Sequence, residues 1–190
     1  PVISAIETTF LEPSGNLAPL AQMVTPNAKV INDTFENHNL INKYDSIIMN
    51  PPFGSGGKTA IDHVAKAFKH LKDGGRLVAI IPDGPSCMKH LDKWLYGNPE
   101  GKTKAERGEE DAVLMRTINL PAATFERAGT KVQAKLIIID KYSSENARSD
   151  AAAEADGELD LRDAKNINEL FDRIENMEAP KRVSTSASLR

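Results

Sequence analysis

The feature that most constrains this chain is an apolar strand that ends in a rigid turn. Tyr44-Asp45-Ser46-Ile47-Ile48-Met49 reads as a buried β-strand, and it runs straight into Asn50-Pro51-Pro52-Phe53. Two successive prolines fix φ and remove two backbone donors, so no regular element continues through them. A helical pattern follows. Ile61, Val64, Ala65, Phe68 and Leu71 recur on one face of a 3.6-residue period, and Asp73-Gly74-Gly75 stops it.

Short runs rich in Val and Ile alternate with amphipathic stretches along most of the chain, which is the α/β pattern. Further strands are expected at residues 8–11, 29–31, 76–81, 115–120 and 135–140. The last two are joined through Ala128-Gly129-Thr130. Residues 16–24 and 88–96 read as short helices, the first limited by Pro19. The polar insertion 97–111, with Lys102, Lys104 and Arg107, reads as a mobile loop. Beyond it, residues 143–157 are rich in Ala, Ser and acids and read as a linker. Residues 163–177 read as a helix and 179–190 as a disordered tail. The expected organisation is a domain over 1–142 and an acidic appendage over 143–190.

Composition narrows the setting. Cys87 is the single cysteine, so no internal disulfide forms, and with four scattered histidines no zinc spacing appears. No apolar run approaches the ~20 residues of a membrane span, and no signal segment opens the chain, so a cytoplasmic protein is expected. The chain opens at Pro1, as a fragment would. Its net charge of -3 is uneven: residues 145–178 carry 11 acidic and 4 basic side chains, and the rest is net positive. That mild positive balance is a weak pointer toward nucleic acid.

The chemistry sits in the turn. Ligands of open α/β sheets bind at the carboxyl ends of strands, where this tetrad falls. An exocyclic amine on an aromatic ring is a poor nucleophile because its lone pair is delocalised. Acceptors on both of its N–H groups favour a pyramidal nitrogen and localise that pair. The Asn50 side-chain oxygen and the Pro51 carbonyl suit this role, and the prolines hold the carbonyl in place. Phe53 offers a flat face on which a flipped base stacks. Downstream, Gly54-Ser55-Gly56-Gly57-Lys58-Thr59 shares its end with a phosphate loop, but Pro52 stands where that loop needs its first glycine. It reads instead as a flexible loop admitting substrate, with Thr59 as N-cap of the next helix. His63 and His70 read as a surface pair, Lys66, Lys69 and Lys72 as a solvated face, and Cys87 and Trp94 as packing residues.

Residues 44–53 resemble motif IV of S-adenosylmethionine-dependent amino-methyltransferases of class I. Leu11-Glu12-Pro13-Ser14-Gly15 resembles the start of their cofactor-binding turn, and Val30-Ile31-Asn32-Asp33-Thr34-Phe35 the strand whose acidic end lies near adenine. Gly74-Gly75-Arg76-Leu77-Val78-Ala79-Ile80-Ile81-Pro82 is similar to the next strand. Leu120-Pro121, then residues 125–132 and the apolar run 136–140, resemble the last two strands of N6-adenine DNA methylases of the type I-like group, which includes methylase domains found beside helicases in phages and mobile elements. The resemblance spans about residues 7–142. It implies a Rossmann-like methyltransferase sheet, possibly incomplete, with an antiparallel hairpin edge and a C-terminal helical appendage. It implies S-adenosyl-L-methionine as cofactor, held by Glu12, Pro13, Ser14, Gly15 and Asp33, with Asn50, Pro51, Pro52 and Phe53 as catalytic residues and no metal. The implied substrate is adenine N6 in double-stranded DNA with the base flipped, alongside a specificity or helicase subunit or domain. The same tetrad also serves RNA guanine N2, cytosine N4 and protein glutamine, and a catalytically inactive module binding nucleic acid or a partner subunit is a further alternative.

One departure bears on activity. The family's turn carries a second glycine where this chain has Asn16-Leu17, and only 14 residues separate Ser14 from Lys29. Those glycines let backbone N–H groups approach the cofactor. A second strand ending in an acidic residue for the ribose is missing. Either a stretch carried by the family is left out between Ser14 and Lys29, or the domain is degenerate. The retained tetrad favours the first reading.

Overall fold

The computed structural model describes residues 7–38, 44–97, 108–122, 124 and 132–184. The chain divides into two compact units, Pro1–Ile41 and Asn42–Arg190.

The first unit is a small β-α-β motif. Strands β1 (Thr9–Leu11) and β2 (Lys29–Ile31) pair in parallel, with Phe10 opposite Val30. Helix α1 (Leu17–Val24) connects them. Ser14 opens the helix, its carbonyl accepting from Leu17 and Ala18 at 3.1 and 2.9 Å. Pro19 lies in the first turn, where its missing N–H has no intrahelical partner to lose. Thr25 ends the helix, its N–H and hydroxyl both donating to the Ala21 carbonyl.

The second unit is a five-stranded mixed sheet with helices on both faces. Its strands are β3 (Tyr44–Met49), β4 (Leu71–Pro82), β5 (Ala112–Asn119), β6 (Ala134–Lys141) and β7 (Gly157–Asp160), in the order β3-β4-β6-β5-β7. β3 and β4 are parallel, as are β5 and β7, and β6 runs antiparallel to both β4 and β5. The helices are α2 (Lys58–Lys69), α3 (Pro85–Tyr96), α4 (Glu145–Glu154) and α5 (Ile167–Glu175).

Alternation along the strands splits the core. Val78, Ile138, Val113 and Met115 pack with Tyr142 and with Ala147 and Ala151 of α4. Ile80, Ile118, Leu120 and Ala134 pack with Leu161, Ala164 and Leu170, the last from α5. Leu77, Ala79 and Ile81 alternate with these residues and point to the other face. All three are fully buried, as are Val64, Ala67 and Phe68 of α2 and Leu91 of α3. Trp94 meets Phe68 edge-on, with ring centroids 5.4 Å apart, which fits its reading as a packing residue.

Several sequence expectations are corrected. Within the sheet of the second unit, β3 is the end strand and not a central one. An apolar run reports strand type but not its place in the sheet. The expected antiparallel pair is present, but β7 adds outside it, so β5 is not at the edge. Residues read as a linker form α4 and lead into β7. Part of the segment read as a disordered tail is packed: Pro180 is buried, and Val183 lies against the cluster around Tyr142. His63 is buried on α2 and not on the surface. Residues 98–107 and the turn at 128–130 lie outside the described residues. No helix of the described residues is long and apolar enough to cross a membrane.

Candidate active site

The tetrad emerges from the carboxyl end of β3. Asn50 is exposed, Pro51 is buried, Pro52 is exposed and Phe53 is half-buried. Among the described residues no side chain holds the Asn50 amide by a hydrogen bond, so its oxygen is open to a substrate donor. Phe53 packs against the cluster of Ile118, Leu120, Ala134 and Leu170. The ring is therefore steadied by the core while part of it stays accessible, which is what a stacking plate needs.

The glycine loop is not the flexible entry expected from its composition. Gly54, Gly56 and Gly57 have φ of 63°, 60° and 76°, a region that favours glycine. A Cβ on Gly54 would fall 2.2 Å from the Thr59 hydroxyl oxygen, and one on Gly57 would fall 2.4 Å from the Cys87 Cβ. The loop is thus seated on the start of α3, and the glycines are required by contact as well as by φ. Gly57, not Thr59, is the N-cap of α2. Burial and the nearby Asp83 push the Cys87 thiol up to about 11.

Because β3, β4 and β5 run in one direction, their carboxyl ends share an edge, and a polar group sits there that sequence reading missed. Lys135 donates to Glu158 Oε1 at 2.9 Å and lies 3.7 Å from Asp83. Asn119 Nδ2 donates to the same Glu158 oxygen at 2.6 Å. Hydrogen bonds from Lys135 and then Asn119 hold the Glu158 carboxyl below its usual range. These residues come from four strands or strand ends, so no local sequence signal unites them.

In the first unit, the residues expected to hold the cofactor lie at the carboxyl ends of its two strands. Glu12 Oε1 accepts from the Ser14 N–H at 2.8 Å, which closes the turn. Asn32 Nδ2 donates to the Glu12 carbonyl at 2.8 Å, tying the end of β2 to the end of β1. Asp33 Oδ1 accepts from Thr34 N–H and from Asn37 Nδ2. Pro13 and Gly15 are exposed, and the nearest atom to a Cβ on Gly15 would be Asn32 Oδ1, 3.9 Å away. The chemistry of this donor set suits a zwitterionic nucleoside. Its carboxylate and carbonyl acceptors could take hydrogen bonds from an ammonium or from hydroxyls, and the open backbone at Gly15 leaves room for a carboxylate. Asn32 is the residue of this group that the sequence reading did not single out.

Residues 14–106 match the methyltransferase small domain family, a span that includes Ser14, Gly15, Asp33 and the whole tetrad. A Listeria monocytogenes protein assigned to the class I S-adenosylmethionine-dependent methyltransferases superposes with a TM-score of 0.59 at 12% identity, covering 89% of this chain. The chain has the class I methyltransferase fold. The cofactor implied by the match is S-adenosylmethionine. The chain spans 54% of the Listeria protein's length. Two weaker methyltransferase-fold alignments are to an rRNA methylase from Streptococcus thermophilus and to the M protein of the type I restriction enzyme EcoKI. The first has 17% identity and a TM-score of 0.47, over 72% of this chain and 74% of that one. The second has 18% identity and a TM-score of 0.49, over 70% and 31%. No curated protein matches the chain.

Proposed function

We propose that this chain transfers a methyl group from S-adenosylmethionine to the exocyclic N6 amine of adenine in DNA. The observation that carries the reading is the open Asn50 amide at the tip of β3, beside a core-steadied Phe53. Asn50 Oδ1 and the Pro51 carbonyl accept hydrogen bonds from the two amine N–H groups, Phe53 stacks on the extruded base, and the one proton displaced by the methyl group leaves to solvent. Pro51 and Pro52 restrict the backbone that carries the Pro51 carbonyl before substrate arrives, so little reorganisation of that acceptor is needed. The cofactor, when bound, supplies an electrophilic methyl group on a sulfonium. Gly15, Ser14 and Asp33 would hold it, while Glu12 and Asn32 shape the turn. The choice of DNA adenine over RNA guanine, cytosine or protein glutamine rests on the resemblance of residues 120–140 to N6-adenine methylases. Target recognition is assigned to a separate specificity or helicase subunit or domain.

The test uses the full chain. Calorimetry with S-adenosylmethionine should give a Kd on the order of micromolar. Labelled methyl should then reach duplex DNA in preference to RNA or protein. Asn50→Ala should lower transfer by about 100-fold or more while leaving cofactor affinity unchanged, because it removes an acceptor used only in the reaction. Label entering RNA or protein instead would overturn the substrate. Absence of cofactor binding would favour the inactive module.

A further inference from the structure

The segment after α5 crosses the sheet face. The Glu178 carbonyl accepts from Arg116 Nη1 at 2.8 Å, over β5. Pro180 is buried, and the Val183 N–H donates to the Tyr142 hydroxyl at 3.0 Å, just past β6. Between them in sequence, Arg182 Nη2 donates to Ser46 Oγ at 2.8 Å, on β3. The segment therefore reaches from the far side of the sheet to its opposite edge.

β3 needs such support. Among the described residues of the second unit it is bonded to β4 alone, and its register with β4 shifts between Tyr44 and Ser46. Asp45 accepts from Lys72 at 2.8 Å, and the adjacent Ser46 accepts from Arg182 at 2.8 Å. The root of the strand that presents Asn50 is thus tied by two side-chain hydrogen bonds, one from β4 and one from the C-terminal segment.

We infer that Arg182 is a positioning residue: through Ser46 it holds β3, and with it the tetrad, in the register that methyl transfer requires. This rests on the reading of the tetrad given above. Amide hydrogen exchange and steady-state kinetics on the full chain test it, comparing wild type with Arg182→Ala, Arg182→Lys and Ser46→Ala. In Arg182→Ala the β4-bonded amides of β3 should exchange about threefold faster, the size expected for one lost solvent-exposed charge-assisted hydrogen bond. Amides of β6 should be unchanged. The kcat should fall about threefold with the Kd for S-adenosylmethionine unaltered. Arg182→Lys should restore most of both, and Ser46→Ala should match Arg182→Ala without adding to it in the double variant. Unchanged β3 exchange, a rise shared by the whole sheet, or normal kcat in Arg182→Ala would overturn the inference alone. A wild-type chain that transfers no methyl would overturn the reading of the tetrad as well.

Discussion

At the scale of single residues, the turn after β3 is controlled by what touches it. Gly57 carries φ of 76°, and any side chain there meets Cys87, with its backbone Cα at 3.1 Å. Gly57→Ala should therefore lower stability by about 1–3 kcal/mol, combining left-handed strain with forced displacement of α3. Thermal unfolding of the variant measures this. Cys87 gives a second test. Its thiol is buried and its pKa is raised from 9.0 to about 11, chiefly by burial. A raised pKa keeps the neutral thiol through pH 9, so native labelling by a thiolate-selective reagent should stay slow from pH 7 to 9 and become rapid only in denaturant. The linked stability is present below pH 9 and is lost as pH rises toward 11, because the unfolded thiol ionises first. Fast labelling of the folded chain at pH 8 would show that the loop does not seal α3. The need for three glycines was legible in the sequence as a loop. Their contacts were not, since Cys87 lies about thirty residues from Gly57 and is brought there by β4.

At the scale of elements, local patterns carried far and register did not. The tetrad, α2 and the apolar strands were legible because each is defined by neighbours in sequence. The helix α4 was not, since its inward residues are Ala147 and Ala151, too small to mark an apolar stripe. Nor was β7, whose Gly157-Glu158-Leu159-Asp160 lacks β-branched residues and becomes a strand by pairing with β5. Asp140 makes the same point energetically. It reads as the polar end of a strand, yet it is fully buried, because the antiparallel register places it opposite Arg76. The guanidinium grips it through two bonds of 2.7 Å, and the Tyr142 hydroxyl donates to it at 3.3 Å. Removing one partner leaves an uncompensated buried charge, so Asp140→Ala should cost about 3–5 kcal/mol. Replacing both Arg76 and Asp140 by apolar residues of similar volume should cost much less. Denaturant titration of the single and double variants distinguishes these outcomes.

At the scale of the whole molecule, the acidic C-terminal stretch behaves as a structural layer of the second unit. Sequence composition separates it from the residues before it, with 11 acidic side chains between positions 145 and 178. Several of those charges are turned to structural use. Asp156 holds Arg116, Glu158 holds Lys135, and Arg173 is held by Asp163 and Glu169. The apolar residues interspersed among them cover Ile118, Leu120 and Ala134 through Leu161, Ala164 and Leu170. A chain ending at residue 142 would open that whole face to water, lose β7 from the sheet and leave Phe53 without the α5 side of its support. Each fully buried aliphatic side chain so exposed forfeits about 1.5–3 kcal/mol, and a few such losses approach the total stability of an ordinary domain. The truncated chain should therefore bind a hydrophobic dye and unfold without a cooperative transition, whereas the full chain unfolds sharply. Cooperative melting of the 1–142 fragment would mean that this layer is an ornament on a self-sufficient sheet.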